Sequence, residues 1–266
     1  MIKRIGISIY SIPDHSIDIL LDFAQRHNYD AIELWSDLLP ASNKRLSEYT
    51  DNIDAELSVH APLLQLGSKK KLEENKSILI DLIQRSYQWK VKKIVLHTGS
   101  DNEVNYIKEV EVAADILLSI LDLLKERHIC LCIENLGYLG NNIICYFNRL
   151  ADFVDRFPRE QVGVTFDLAH ANISGGIRSG IDILGDRIKH IHVADNIGVI
   201  DNHHMPLGKG KIDFRSIWNI QNINDINAIL EITPDGNWQK HLLDGRKFLS
   251  EMTTGNHNEL LGDVDI

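Results

Sequence analysis

The sequence predicts an α/β fold: a single (β/α)8 TIM barrel. Three observations carry that prediction. Short apolar segments alternate with helical stretches across short breaks, the signature of a parallel sheet joined by crossover helices. At 266 residues the chain lies in the range where such barrels form one domain. The strand-like segments also set large apolar side chains on one face and polar side chains on the other, as a closed sheet wrapped in helices requires.

The strands are expected near Arg4–Tyr10, Ala31–Trp35, Glu56–His60, Lys93–His97, Ile129–Glu134, Val162–Asp167, Ile188–Val193 and Ala228–Ile232. Helices fall between them. The clearest covers about Glu103–Arg127, where Ile107, Val110, Ala114, Leu117, Leu118, Leu121 and Leu124 recur at helical spacing. No internal repeat or low-complexity linker divides the chain, so residues 1–252 are expected to form the barrel domain. The polar, acidic stretch 253–266 lacks periodicity and is expected to be a frayed tail.

Side-chain alternation assigns the faces. In the fifth strand Leu131 and Ile133 share one face while Cys130, Cys132 and Glu134 share the other. Val164 and Phe166 likewise oppose Gly163, Thr165 and Asp167; Ile191 and Val193 oppose His190 and His192; Leu230 and Ile232 oppose Ile229 and Glu231. The apolar set packs on helices, so the other set points into the barrel. Nine potential metal ligands then lie at or just past the ends of six strands: His60, His97, Glu134, Asp167, His170, His192, Asp201, His203 and Glu231. Strand ends converge on one mouth of a barrel, which makes neighbours of residues distant in sequence.

Each candidate has an ordinary structural alternative. A lone histidine after a strand, as in SVHAP or VLHTG, is commonly a hydrogen-bonded core or surface residue, but His60 and His97 occupy equivalent strand ends. Glu134 in CIENLG is costly inside an apolar strand unless paired or bound to a cation, and no inward-facing basic residue is evident on the strands to pair it. Asp167 in VTFDLAHANISGG can be a ligand or a helix N-cap, with His170 one turn on. His190 sits a layer deeper than His192, as a core or supporting residue. Asp201 and His203 follow in a loop that returns over the mouth, and His204 is expected to face solvent. The turn Gly208-Lys209-Gly210 offers backbone amides to an anion, with Lys209 beside it. Pro234 and Gly236 force a turn after Glu231. Glu33 is either a further acidic site residue or a buried structural acid.

The composition narrows the classes. The 44% hydrophobic and 25% charged content is ordinary for a globular protein, and no apolar run approaches the roughly 20 residues of a membrane span. The start leads straight into a strand-like segment rather than a signal peptide, which gives a cytoplasmic expectation. With 28 basic and 38 acidic residues the net charge is −10, which disfavours a broad electrostatic grip on nucleic acid. The basic clusters Lys69-Lys70-Lys71 and Lys90 with Lys92-Lys93 read as solvated surface, the second at the barrel end away from the site. Cys130 and Cys132 do not have the CxxC spacing of zinc or redox sites and read as small buried residues.

Taken in order, SVHAP, VLHTG, IEN, FDLAH, HIHVADN, DNHHMPLGKGKIDF and LEITP resemble the xylose isomerase-like barrel superfamily over nearly the whole chain. That superfamily includes sugar isomerases and epimerases, sugar-acid dehydratases and the endonuclease IV branch. In isomerase-like members the resemblance implies one divalent ion held by Glu134, Asp167, His192 and Glu231. In the endonuclease branch it implies three zinc ions, with His60, His97, His170, Asp201 and His203 added. The chain departs from that branch at several points. Leu63 or Leu64 stands where a tyrosine is usual, IENLGYLG lacks the threonine-alanine-glycine run, and FDLAHANISGG replaces a cysteine-containing version. The loop from His192 to Asp201 is also shorter, and few basic or aromatic residues stand where a duplex would bind.

The leading expectation is therefore a metal-dependent isomerase or epimerase of a small sugar, sugar phosphate or keto-polyol. Glu134 and Glu231 exchange the proton, His170 steadies a substrate oxygen, and His60, His97 and Lys209 contact substrate. Three carboxylates and one imidazole suit manganese or magnesium, with cobalt or zinc as alternatives; a trinuclear site of five histidines and four carboxylates suits zinc. The rivals are zinc-dependent phosphodiester hydrolysis at abasic DNA, dehydration of a sugar acid and, least favoured, a non-catalytic metabolite-binding barrel. Substrate identity and oligomeric state, homo-oligomers included, stay open.

Overall fold

Eight parallel strands close on themselves in chain order: β1 (Arg4–Ser8), β2 (Ala31–Trp35), β3 (Glu56–His60), β4 (Lys93–Leu96), β5 (Cys130–Glu134), β6 (Val162–Asp167), β7 (Ile188–Val193) and β8 (Asn227–Leu230). β8 pairs back onto β1, through Arg4 opposite Asn227. The computed structural model describes residues 4–39, 44–52, 55–99, 106–136, 146–198, 204–220, 223 and 226–253. The expected 254–266 part of the tail lies outside them. Helices α1 (Ile17–Arg26), α2 (Lys44–Asn52), α3 (Leu72–Gln88), α4 (Tyr106–Arg127), α5 (Phe147–Val154), α6 (Leu168–Ser174), α7 (Ile177–Leu184) and α8 (Trp238–Thr253) fill the connections. The crossover from β7 to β8 instead carries a 3-10 segment, Phe214–Asn219. No helix among the described residues is long and apolar enough to cross a membrane.

The outer faces of the strands build the core. Leu34, Val59, Leu131, Ile133, Val164, Phe166, Ile191, Val193 and Leu230 are all buried there. Helices cover them with one stripe each; in α1, Ser16 caps the Ile19 amide and Leu20, Leu21, Phe23 and Ala24 turn inward. On α4 the stripe differs from the one expected. Ala113, Ala114, Ile116, Leu117, Ile120 and Leu124 are buried, whereas Ile107 is 71% and Leu118 48% exposed. Both lie more than a quarter turn round the helix from the middle of that stripe, which apolarity alone cannot reveal. α7 approaches the sheet at Gly180, where an added Cβ would run into the rings of Phe166 and Phe147.

Inside the barrel, polar contacts stack in three levels. At the bottom Glu56 receives Lys93 (Nζ 2.5 Å) and Arg4 (Nη1 2.6 Å). Lys93 is thus an inward-facing cation rather than solvated surface, because Lys93, Val95 and His97 share one face of the fourth strand. It closes the far end and does not pair Glu134. Lys69, Lys70 and Lys71 are exposed, as expected. Cys132 is buried and Cys130 half-buried beside it. The middle level joins Ser58, Glu33 and His190. The top level is the mouth.

Candidate metal centre

A local irregularity in strand pairing delivers the ligands. β6 and β7 pair with Val164 opposite Ile188, then shift so that Thr165 meets His190 and Asp167 meets His192. Without that one-residue shift Asp167 would oppose Ile191, whose side chain points to the helices. The shift therefore brings an inward carboxylate and an inward imidazole side by side.

Glu134, Asp167, His192 and Glu231, all buried, each offer one donor atom, and these atoms lie within 4.8 Å of one another. His192 Nδ1 is 3.2 Å from Glu231 Oε2, 3.5 Å from Glu134 Oε1 and 3.9 Å from Asp167 Oδ2. The choice between N-cap and ligand at Asp167 dissolves, because its two oxygens do different things. Oδ1 accepts the His170 amide at 2.6 Å and caps α6. Oδ2 is buried with no hydrogen-bond partner, as is His192 Nδ1. Leaving such atoms unpaired is costly, and one shared cation would satisfy both. Asn135 locks Asp167 in place from the neighbouring strand: its Oδ1 accepts the Asp167 amide at 2.8 Å and its Nδ2 donates to the Asp167 carbonyl at 3.0 Å. The donor set thus fits a divalent ion.

The cluster is electrostatically hungry for positive charge. Burial pushes the Glu134 carboxyl upward, but the facing His97 and His192 more than reverse this and hold it well below the usual range. Burial likewise opposes a proton on His192, yet Glu231, Glu33 and Glu134 drive its pKa well above 6.5. At His60 the same contest, burial against Glu134, Glu33 and Glu231, ends at about 9. Protons on imidazoles and a metal ion compete for this charge.

A second and a third group adjoin the first. His97 Nε2 and His60 Nε2 approach Glu134 Oε2 at 2.9 and 3.4 Å, so Glu134 belongs to two sets. His170 Nδ1 is 3.3 Å from Glu134 Oε1, and His170, His204 and Asp167 form another set. His204 is not solvent-facing: its side chain is 12% exposed and Nδ1 is 3.6 Å from Glu231 Oε2. The reason is a paired turn, in which Asp195 and Met205 exchange backbone hydrogen bonds of 2.9 and 2.8 Å and draw the chain inward. Asp201 and His203 lie outside the described residues.

The glycine turn does meet an anion, but an internal one. Asp195, 1% exposed, accepts the amides of Gly208 (3.0 Å) and Gly210 (2.8 Å) on Oδ2, and those of Asn196 (2.8 Å) and Ile212 (3.2 Å) on Oδ1. Lys209 is exposed and does not line the cavity described next.

Above the ligands opens a cavity of about 650 Å³, lined by Tyr10, Trp35, Asp37, Leu63 and His204 together with His60, His97, His170, Glu134 and Glu231. Tyr10, Trp35 and Asp37 escaped the sequence reading. Trp35 shares a strand face with Glu33, so period-2 alternation could have found it. The expected strand Arg4–Tyr10 sets Tyr10 on the inward face with Gly6 and Ser8 by the same rule, although β1 ends at Ser8 and a 3-10 turn over Ile9–Ser11 carries Tyr10 to the mouth. Its hydroxyl lies 3.2 Å from Thr233 Oγ1, and its ring meets His204 edge-on at 5.6 Å. Leu63 is 79% exposed at the rim, whereas Leu64 is buried.

Comparison with known proteins agrees with this architecture. A probable endonuclease 4 of Ureaplasma parvum serovar 3 is 30% identical over 209 residues, which are 70% of this chain and 68% of that protein. Among solved structures, a D-tagatose 3-epimerase-like protein superposes with a TM-score of 0.81 at 22% identity, covering 94% of this chain and 97% of that one. The IOLI protein with a binding zinc atom gives 0.80 at 15% identity, covering 94% and 98%. At such identities the two structures establish the fold. The family model described as xylose isomerase-like TIM barrel matches residues 21–252. The chain is a member of the xylose isomerase-like TIM barrel family.

Proposed function

We propose that the protein is a divalent-metal-dependent isomerase or epimerase of a small sugar or keto-polyol, with Glu134, Asp167, His192 and Glu231 as the ion's ligands. The observation that carries this is the pairing of a buried four-donor set with a cavity of about 650 Å³, in the range of small-molecule sites, whose lining among the described residues includes no Lys or Arg. A phosphodiester backbone calls for cationic walls; a neutral polyol does not. When bound, the ion supplies Lewis-acid polarisation of a substrate oxygen. Glu134 and Glu231, on strands β5 and just past β8, reach the cavity from separated positions and serve as proton acceptor and donor on a carbon beside a carbonyl. His170 and His204 meet substrate hydroxyls, while Tyr10 and Trp35 wall one side and limit water. Three carboxylates with one imidazole favour manganese or magnesium over softer ions.

A second reading is supported by the two further groups, His60 with His97 on Glu134 and His170 with His204 on Asp167, together with the endonuclease-named relative. Under it the protein is a multinuclear zinc phosphodiesterase.

One experiment separates them. The metal-loaded protein is incubated in D2O with a panel of free and phosphorylated ketoses and, in parallel, with an abasic duplex. The proposal predicts deuterium at the carbon beside the carbonyl, lost in Glu134→Gln with the fold intact, and about one metal per chain. Abasic-strand cleavage with three zinc ions and no exchange would replace it with the second reading. Net loss of water from a sugar acid would move the reaction to a dehydratase.

A further inference from the structure

We infer that Glu33 is a positioning residue for the metal centre: it takes the Nε2–H of His192 and thereby makes Nδ1, facing Glu134, Asp167 and Glu231, the nitrogen that yields its proton to the ion. This rests on the proposed ligand role of His192.

Glu33 sits on β2, fully buried one level below the mouth. Its Oε2 is occupied by Ser58 Oγ and His190 Nε2, each at 2.9 Å. Its Oε1 is left for His192 Nε2, 3.1 Å away. The two atoms are within ion-pair distance but not aligned as a hydrogen bond, and neither has a hydrogen-bond partner elsewhere among the described residues. A carboxylate only accepts, and a neutral imidazole carries one N–H, so this contact puts the proton on Nε2 and the lone pair on Nδ1. Nδ1 is the nitrogen that lies 3.2 Å from Glu231 Oε2. A carboxylate behind a ligating histidine fixes its tautomer and ring orientation and raises its basicity.

Glu33, His190 and His192 also satisfy the spacing of an ion site by themselves. Hydrogen bonds from Ser58 and His190 already fill Oε2, all three residues are sealed from solvent, and the orphaned Nδ1 of His192 points at the other cluster. Support for the upper site is the better use of the same atoms.

The test uses the full chain and zinc ion alone. Chelator competition gives the zinc affinity, and long-range ¹⁵N–¹H spectra of the zinc-loaded, histidine-labelled protein report which nitrogen of His192 holds the metal. The inference predicts a zinc-shifted Nδ1 and a protonated Nε2, with Glu33→Gln weakening zinc about 10–100-fold. Ser58→Ala, which touches only the other oxygen, should change the affinity far less. Equal affinity in Glu33→Gln would overturn the inference and leave the metal centre standing. Zinc on Nε2 in the unmodified protein would overturn it even if Glu33→Gln failed to fold. No zinc on Glu134, Asp167, His192 and Glu231 would remove both this inference and the reading beneath it.

Discussion

Replacing Asp195 with Asn should unfasten the turn over Gly208–Ile212. The carboxylate accepts four backbone amides, two on each oxygen. Asn keeps one accepting oxygen, so whichever way the amide turns, its NH2 group faces two N–H donors. Each lost hydrogen bond with a stranded donor costs about 1–3 kcal/mol, or about 2–6 kcal/mol for two. Gly208 is exposed and Gly210 half-buried. The amide should therefore turn its NH2 toward them, where water replaces part of the loss, and the expected cost falls to about 2–4 kcal/mol. Urea unfolding at neutral pH, compared at constant m-value, measures it. A loss under about 1 kcal/mol would refute the idea that this carboxylate holds the turn. Gly210→Ala reports on the same joint from the other side, since its Cβ would run into Asp195 and the Asn196 carbonyl.

Three further outcomes follow from the geometry. Gly180→Ala should cost about 1–3 kcal/mol in thermal or urea unfolding, because α7 must lift off Phe166; an unchanged midpoint would contradict the close packing. Glu56 is raised by burial but pulled below its ordinary 4.5 by Lys93, so its contribution to stability is present above pH 4.5 and lost as pH falls through the depressed value. The gap in melting temperature between wild type and Glu56→Gln should accordingly close on acidification, and a gap constant with pH would argue against the ion pair. His60, lifted to about 9 despite burial, is protonated at neutral pH, and a cation arriving beside it must expel that proton. Zinc affinity by chelator competition should therefore rise from pH 6 to pH 8; a flat profile would deny the coupling.

Alternation and strand ends made the barrel legible, because a parallel sheet covered by helices forces apolar side chains outward at every second position. The same rule placed Glu134, Asp167, His192 and Glu231 on one rim. What it could not supply were the features set by backbone outside regular strands. His204 is turned inward by the Asp195–Met205 pairing, beyond the end of any strand. Lys93 looked like surface because a basic run suggested it, although its strand face pointed into the barrel. The amides around Lys209 looked like an anion site and are one, with Asp195 as the anion. Glu33 could be placed inside from sequence, but its bond to His190 joins residues 157 positions apart and needed the closed sheet.

The most direct measurement is anomalous diffraction from crystals grown with manganese or zinc. An ion bonded at about 2.0–2.2 Å to Glu134, Asp167, His192 and Glu231 together is the predicted result. An ion held by other residues, or no ion at this rim under saturating metal, would contradict the account at its base.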